Sequence, residues 1–201
     1  MAGLFITLEG MDGAGKSTHI PTILAQLAVQ GREVVSTREP GGTPLGEQLR
    51  ALLLHEDMHV ETESLLMFAA RAEHLQQVIL PALQRGATVV SDRFTDASYA
   101  YQCGARGLAT EKMQVLEHWV QGALQPDITL LFDVPVEVSL QRLASARSPD
   151  KFEAQGEIFF AKLRAQYLAR AAQYPQRFHV IDANRSLAEV QASVEEIIRS
   201  L

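Results

Sequence analysis

The chain has 201 residues, 47% hydrophobic and 21% charged, the balance of a globular chain and a length that one α/β domain fills, so the expectation is a single domain over residues 1–201. Its formal net charge is −6, which argues against a nucleic-acid duplex as partner. Any anionic ligand must then be met by locally clustered cations.

The opening MAGLFITLEG has no basic stretch ahead of its apolar run, and Glu9 interrupts that run, so no signal peptide is expected. Residues 4–8 read as a β-rich strand leading into a glycine loop. A helical pattern over 16–30 follows, with Gly31 placed to end it. A strand at 33–37 runs into the break at Pro40, Gly41 and Gly42, then a short amphipathic helix at 45–54. A long helix is expected over 62–85, with Pro81 late in it, and a short β-branched strand at 88–91. Cys103, the lone cysteine, excludes an internal disulfide, has no evident histidine partner, and fits a reducing cytoplasm. Helix 110–124, the continuously apolar strand 128–133, helix 136–146, a polar loop at 147–155, helix 157–173, strand 178–181 and a closing helix complete the chain. No apolar stretch reaches the roughly 18 residues that would suggest a membrane span. Strands separated by helices predict a parallel sheet covered on both faces.

Gly10, Met11, Asp12, Gly13, Ala14, Gly15, Lys16 and Ser17 match the P-loop pattern G-x-x-x-x-G-K-[ST] without a gap. Such a loop turns backbone N–H groups toward phosphate oxygens, and the helix behind it adds its positive end. Lys16 is placed to reach the β- and γ-phosphates and Ser17 to ligate Mg²⁺, so ATP contacts are expected from Gly10 to Thr18. After the fourth strand, Asp133 is followed by Val134 and Pro135 rather than by the guanine-reading N-K-x-D of switch GTPases. Asp92 and Arg93 follow the third strand at the carboxyl edge of the sheet, where open α/β folds place ligands. There a carboxylate orders Mg²⁺ and an arginine clamps phosphate, unless the two merely pair with each other at the surface.

Four segments together resemble bacterial thymidylate kinases: Thr37 to Thr43 (Thr-Arg-Glu-Pro-Gly-Gly-Thr), Met67 to Arg71, Asp92-Arg93-Phe94, and the stretch from Tyr101 to Gly107. The resemblance runs from Phe5 to the last helix. It implies a P-loop nucleoside monophosphate kinase fold with a five-stranded parallel sheet in the order 2-3-1-4-5, and transfer of a phosphoryl group from ATP-Mg²⁺ to dTMP. It further implies Asp92 toward the metal, with Arg93, Arg38, Pro40 and Arg50 around the acceptor phosphate. For Arg50 the alternative is a solvated cation at a helix end. Arg71, Ser98 and Gln102 would face the base and Tyr101 the sugar, although Tyr101 could equally pack a helix. Glu39 would hold neighbouring arginines in place. The family usually carries phenylalanine four residues before the arginine. Here Met67 stands there and Phe68 follows, so either side chain could cover the base or belong to the core. Asp12 would accept from the sugar 3′-hydroxyl or pair with an arginine.

Some thymidylate kinases carry an arginine inside the P-loop; this chain has none there and resembles the bacterial subtype with lid arginines, so the transfer cation is expected from a lid at about 142–155, from Arg147 first or Arg142 second. The resemblance also implies a homodimer, although the apolar helix faces could equally be internal core. The rivals to be kept apart are another small-molecule P-loop kinase, for adenylate, cytidylate or shikimate, and a P-loop switch that binds without phosphorylating.

Overall fold

The computed structural model describes residues 3–144, 150–153 and 155–201. Five strands form one parallel sheet in the order β2-β3-β1-β4-β5: β1 (Leu4–Glu9), β2 (Val34–Arg38), β3 (Thr88–Asp92), β4 (Ile128–Asp133) and β5 (Phe178–Asp182). This is the expected order. Central β1 pairs with β3 from Leu4–Thr88 to Leu8–Asp92, and with β4 from Ile6–Ile128 to Glu9–Leu131. Both central strands are covered by helices on each face, and Ile6, Leu8, Leu130 and Phe132 are buried accordingly. All five strands run the same way, so the loops after β1, β2 and β3 meet at one edge, and that edge carries the site.

Around the sheet lie α1 (Lys16–Val29), α2 (Pro44–His55), α3 (Val60–His74), α4 (Leu80–Gln84), α5 (Thr95–Ser98), α6 (Thr110–Gln121), α7 (Val136–Ala144), α8 (Glu157–Gln173) and α9 (Leu187–Arg199). Thr43 caps α2 by accepting from Gly46 N–H at 2.9 Å, and Ser186 and Glu189 form a reciprocal cap on α9. No helix among the described residues is long and apolar enough to cross a membrane.

Two regions differ from expectation. The long helix begins at Val60 and does not run unbroken to residue 85. It widens to i→i+5 bonding over Leu75–Ile79 before α4 resumes. Pro81 has no N–H to give to the turn before it and its ring crowds that turn, which the wider turn accommodates. The second region, for which no element was expected, is helical throughout: α5 continues into a widened turn over Tyr99–Ala105. It packs closely on α8, and a Cβ at Gly104 would stand 2.7 Å from the Gln166 side chain. Glycine is what permits that approach.

Candidate active site

The P-loop follows directly from β1. Gly10 has φ 135°, and a Cβ there would lie 2.4 Å from the Phe132 carbonyl oxygen, so the loop can cross β4 only with glycine at this position. Met11 and Ala14 are buried and seal the underside of the loop. Gly15 gives α1 no side-chain cap, which leaves its first N–H groups available to an anion. Lys16 Nζ donates to the carbonyls of Gly10 (2.9 Å) and Met11 (3.0 Å). Burial and the nearby Arg93 charge push its ammonium down to about 8, against the opposing pull of Asp92 and Asp12.

Arg93 occupies the left-handed region with φ 71°, the only non-glycine residue to do so among the described residues. A residue held there stores on the order of 1–3 kcal/mol and persists only when its surroundings over-determine it. They do. Its N–H donates to Leu8 O at 2.9 Å and its carbonyl accepts from Ser91 Oγ at 2.8 Å. Its guanidinium donates to Gly10 O (2.9 Å), Asp12 Oδ1 (2.6 Å), Tyr167 Oη (3.0 Å) and Tyr101 Oη (3.1 Å). Burial alone would raise the Asp12 pKa, but Arg93 and Lys16 outweigh it and hold the carboxyl at about 2. Tyr101 Oη donates to Asp12 Oδ2 at 2.6 Å. Asp12 is thus paired with an arginine, and Arg93 pairs across the loops with Asp12 rather than with its neighbour Asp92.

A cleft of about 520 Å³ opens over the loop. Its walls include Lys16, Ser17, Arg38, Arg50, Asp92, Arg93 and Arg142. A narrower pocket of about 90 Å³ shares Asp12, Glu39, Arg50 and Arg93 with the cleft and extends past Pro40, Met67, Tyr101 and Gln102 to Phe152. Arg50 stands in the middle of α2, not at a solvated helix end, and donates to Pro40 O at 2.8 Å. Arg38 is half-exposed and pairs with Glu47 at 2.8 Å.

The pocket floor rests on buried charge. Arg71 is 1% exposed; its Nε donates to Glu39 Oε2 at 2.8 Å and its Nη2 to Ser98 Oγ at 3.0 Å. His74 Nδ1 lies 3.0 Å from Glu39 Oε1, and its Nε2 is 2.6 Å from Thr37 Oγ1. Burial would raise the Glu39 pKa, but the Arg71 charge and the His74 hydrogen bond bring it down. Glu39 therefore holds Arg71 and His74, not its sequence neighbours Arg38 and Arg50, whose carboxylate and carbonyl partners are Glu47 and Pro40.

Of the two candidates to cover the base, Met67 lines the pocket and Phe68 does not. Phe68 belongs to a core cluster with Tyr99, Leu108 and Met113, and the Arg71 guanidinium lies 4.5 Å from its ring centroid. The expectation that Phe68 binds substrate is corrected accordingly: one helical position, about 100° of rotation, turns it from the pocket to the core. Ser98 and Arg71 sit beneath the pocket, and Tyr101 and Gln102 line it.

Arg142, on α7, donates to Gly13 O (3.3 Å) and Ala183 O (3.1 Å). It borders both the cleft and a side recess beside Thr18, His19 and Arg185. Arg147, the first choice for the transfer cation, lies outside the described residues. Sequence reasoning passed over Asp150, Phe152 and Glu153, which border the pocket or cleft. Asp150 Oδ1 accepts from the N–H groups of Phe152 and Glu153, both at 2.9 Å, and this turn carries them inward. Two acids around an aromatic in a polar loop were the available signal. Tyr167, which supports Arg93 from α8, left none.

Known proteins resemble this chain along nearly its whole length. A family model described as thymidylate kinase matches residues 8–194. The chain is 66% identical over 199 residues to the thymidylate kinase of Methylobacillus flagellatus, covering 99% of this chain and 98% of that one. It is 61% identical to the thymidylate kinase of Cupriavidus taiwanensis over the whole of both chains. Among solved structures, thymidylate kinase from Ehrlichia chaffeensis superposes with a TM-score of 0.79 at 30% identity, covering 98% of this chain and 99% of that one. With its P-loop, its carboxyl-edge arginines and the narrower pocket beside them, the chain belongs to the thymidylate kinase family.

Proposed function

We propose that ATP-Mg²⁺ lies along the P-loop cleft and dTMP in the narrower pocket, within one kinase domain over residues 1–201 whose lid, at about 142–155, closes on both. As a member of its family the chain phosphorylates dTMP to dTDP with ATP as donor. The observation that carries the assignment of the two ends is Arg93. It is the most constrained cation at the junction of cleft and pocket, where donor and acceptor phosphates must meet.

An oxygen of the dTMP phosphate attacks the γ-phosphorus, the new P–O bond forms, and the bond to the β,γ-bridging oxygen breaks to release ADP. The attacking oxygen is already anionic, so no strong general base is needed. Catalysis then rests on positioning and on charge. Lys16 exchanges its two loop carbonyls for β- and γ-phosphate oxygens, which also restores its proton affinity. Arg93 and Arg50, with Arg38 once it leaves Glu47, hold the acceptor phosphate. The residues fit a divalent cation: Asp92 Oδ1 is buried without a hydrogen-bond partner, and Asp92 and Ser17 both line the cleft. Two protein ligands with phosphate and water completing the shell suit Mg²⁺. When bound it neutralises charge on the phosphate oxygens. Arg147 and Arg142 supply the lid cations, and the recess beside Thr18 and Arg142 receives the donor base.

Arg71, Ser98 and Gln102 read the pyrimidine edge, Met67 covers its face, and Tyr101, fixed by Asp12, fills the space beside the sugar. A coupled ADP-release assay across a panel of monophosphates tests this. We expect dTMP first and dUMP slower by roughly 10–200-fold, because a single methyl group is worth about 1–3 kcal/mol. Purine monophosphates should be inactive, and AMP turning over like dTMP would overturn the reading.

The proposal extends to a cytoplasmic homodimer that engages neither nucleic acid nor membrane. Leu65 on α3 and Trp119 on α6 are 55% and 77% exposed around an apolar hollow with Ala69, Ala72 and Leu116, a face suited to a second copy. Light scattering should give twice the chain mass. Burial pushes the half-buried Cys103 thiol up to about 11, which suits a residue with no redox task.

A further inference from the structure

Glu63, Met67 and Arg71 recur every four residues along α3 and so share one face of that helix, the face on which the pocket lies. Met67 lines the pocket and Arg71 underlies it. Glu63, in the first turn of α3, is fully buried, and no role in the reaction described above falls to it.

Its surroundings are specific. Gln102 Nε2 donates to Glu63 Oε1 at 3.0 Å. Glu63 Oε2 faces two cations, Lys151 Nζ at 3.1 Å and Arg106 Nη2 at 3.7 Å. Lys151 and Arg106 are themselves tied back to the carbonyls of Glu56 (2.9 Å) and Met58 (2.8 Å). The two cations balance the charge at one carboxylate oxygen, which makes no hydrogen bond, and Gln102 bonds the other.

A carboxylate can only accept, whereas a carboxamide has one accepting end and one donating end. Holding Gln102 by its NH₂ group therefore turns its oxygen the other way. Gln102 Oε1 is buried without a partner in a residue that lines the pocket. Arg71 Nη1 is likewise buried without a partner, while its Nε and Nη2 are both engaged. Both are groups that native proteins rarely leave unsatisfied. With the narrower pocket as the base site, the pair supplies one acceptor and one donor to the ligand. A pyrimidine with a protonated N3 beside a 4-carbonyl satisfies both. A cytosine ring, with a bare N3 and a 4-amino group, puts acceptor to acceptor and donor to donor.

We infer that Glu63 is the residue that sets the hydrogen-bond polarity of the base pocket, acting through the orientation of Gln102, and that it thereby selects thymine and uracil rings over cytosine. Glu63 is a positioning residue: it touches no substrate. The inference rests on the narrower pocket being the base site.

The test compares dUMP with dCMP, two substrates that lack the 5-methyl group alike and differ only at the edge in question. Wild type should favour dUMP by at least about 10²-fold in kcat/KM, since leaving a polar group of the site unpaired is heavily penalised. Glu63→Gln allows the Gln102 amide to turn. It should raise the KM for dTMP about tenfold or more with the KM for ATP unchanged, and narrow the dUMP-to-dCMP ratio by a similar factor. In a Gln102→Met background, Glu63→Gln should have no further effect on either quantity, which a merely structural role would not produce. The inference is overturned if Glu63→Gln stays within twofold of wild type on both measures, or if the two substitutions add. Should Glu63→Gln fail to fold, Glu63→Asp, which draws the carboxylate back from Gln102, is read on the same two measures, and equal use of dCMP and dUMP by wild type overturns the inference without any variant. Failure of wild type to use dTMP at all would instead remove the base-site reading beneath it.

Discussion

The cations at the phosphate end of the site and the cation beneath the base end are held in different ways. Lys16 rests on two backbone carbonyls, and Arg38 on an exposed carboxylate at 2.8 Å, so a phosphate can compete for either. Arg71 is locked between Glu39, Ser98 and the Phe68 ring, inside a network that continues through His74 to Thr37. The first arrangement keeps charge available for transfer. The second commits most of it to structure and leaves only the Nη1 group of Arg71 without a partner. Substitutions at Lys16 or Arg38 should therefore change rates with little effect on stability, whereas those that leave Arg71 uncompensated should cost stability as well.

The largest effect tests the phosphate end. Lys16→Ala should abolish measurable turnover with dTMP while its urea midpoint equals or exceeds that of wild type. A buried ammonium pushed down to about 8 is not contributing to stability without its phosphates. A folded Lys16→Ala protein with near-normal activity would break the comparison at its strongest point.

The lid comes next. Arg147→Ala should lower kcat and kcat/KM together by roughly 10³-fold, as loss of an arginine acting only in the transition state does. Arg142 is already bonded to the Gly13 and Ala183 carbonyls beside the donor recess. Its alanine variant should mainly raise the KM for ATP. If both single variants and the double variant keep kcat within a few-fold of wild type, transfer does not depend on lid arginines.

At the base end, Glu39→Ala leaves Arg71 buried and uncompensated, which is expected to cost about 3–5 kcal/mol of stability. Chemical denaturation measures it directly. A loss below about 1 kcal/mol, the range of exposed pairs, would mean that the floor is not held by charge and that the two ends do not differ as argued.

The sequence made the phosphate end far easier to read than the base end, for a physical reason. A P-loop wraps one ligand group with consecutive backbone amides, so Gly10 to Ser17 spell out their geometry in order. Strand positions were read to within about a residue because a doubly covered parallel strand is continuously apolar, although β2 starts at Val34 rather than 33 and ends at Arg38. The base end joins residues far apart in the chain. Glu39 meets Arg71 across 32 positions and Gln102 meets Glu63 across 39, and no local pattern records such pairings. The helix over 95–105 escaped notice because it widens along most of its length and carries Gly104, which blurs a 3.6-residue period. Phe68 and Met67 are adjacent apolar residues on one helix, and only the packing of Tyr99, Leu108 and Met113 decides which of them turns inward.

The smallest expected effect lies where the two ends join. Glu9, at the end of β1, is fully buried. It accepts from Phe94 N–H at 2.7 Å and from Tyr167 Oη at 3.0 Å, the same tyrosine that supports Arg93. Burial, helped by the Asp96 charge, raises its pKa from 4.5 to about 8, against the pull of Arg93 and the Phe94 N–H. Between these values the folded protein holds a proton that the unfolded chain has lost, so stability falls as pH rises. The contribution is fully present below about pH 4.5 and is lost as pH climbs through about 8. Glutamine mimics the neutral carboxyl and cannot titrate. Glu9→Gln should therefore match wild type near pH 5 and become the more stable protein at pH 8.5, by an amount on the order of a few kcal/mol at most. Urea unfolding of both proteins at pH 5, 7 and 8.5 reads this as a pair of curves that coincide at pH 5 and diverge as pH rises. Parallel curves would show that Glu9 is ionised throughout in the fold. Tyr167 would then be bonded to a charged carboxylate, and Arg93 would have a second counter-charge within reach, which would make the phosphate end less open to an incoming ligand than its geometry implies.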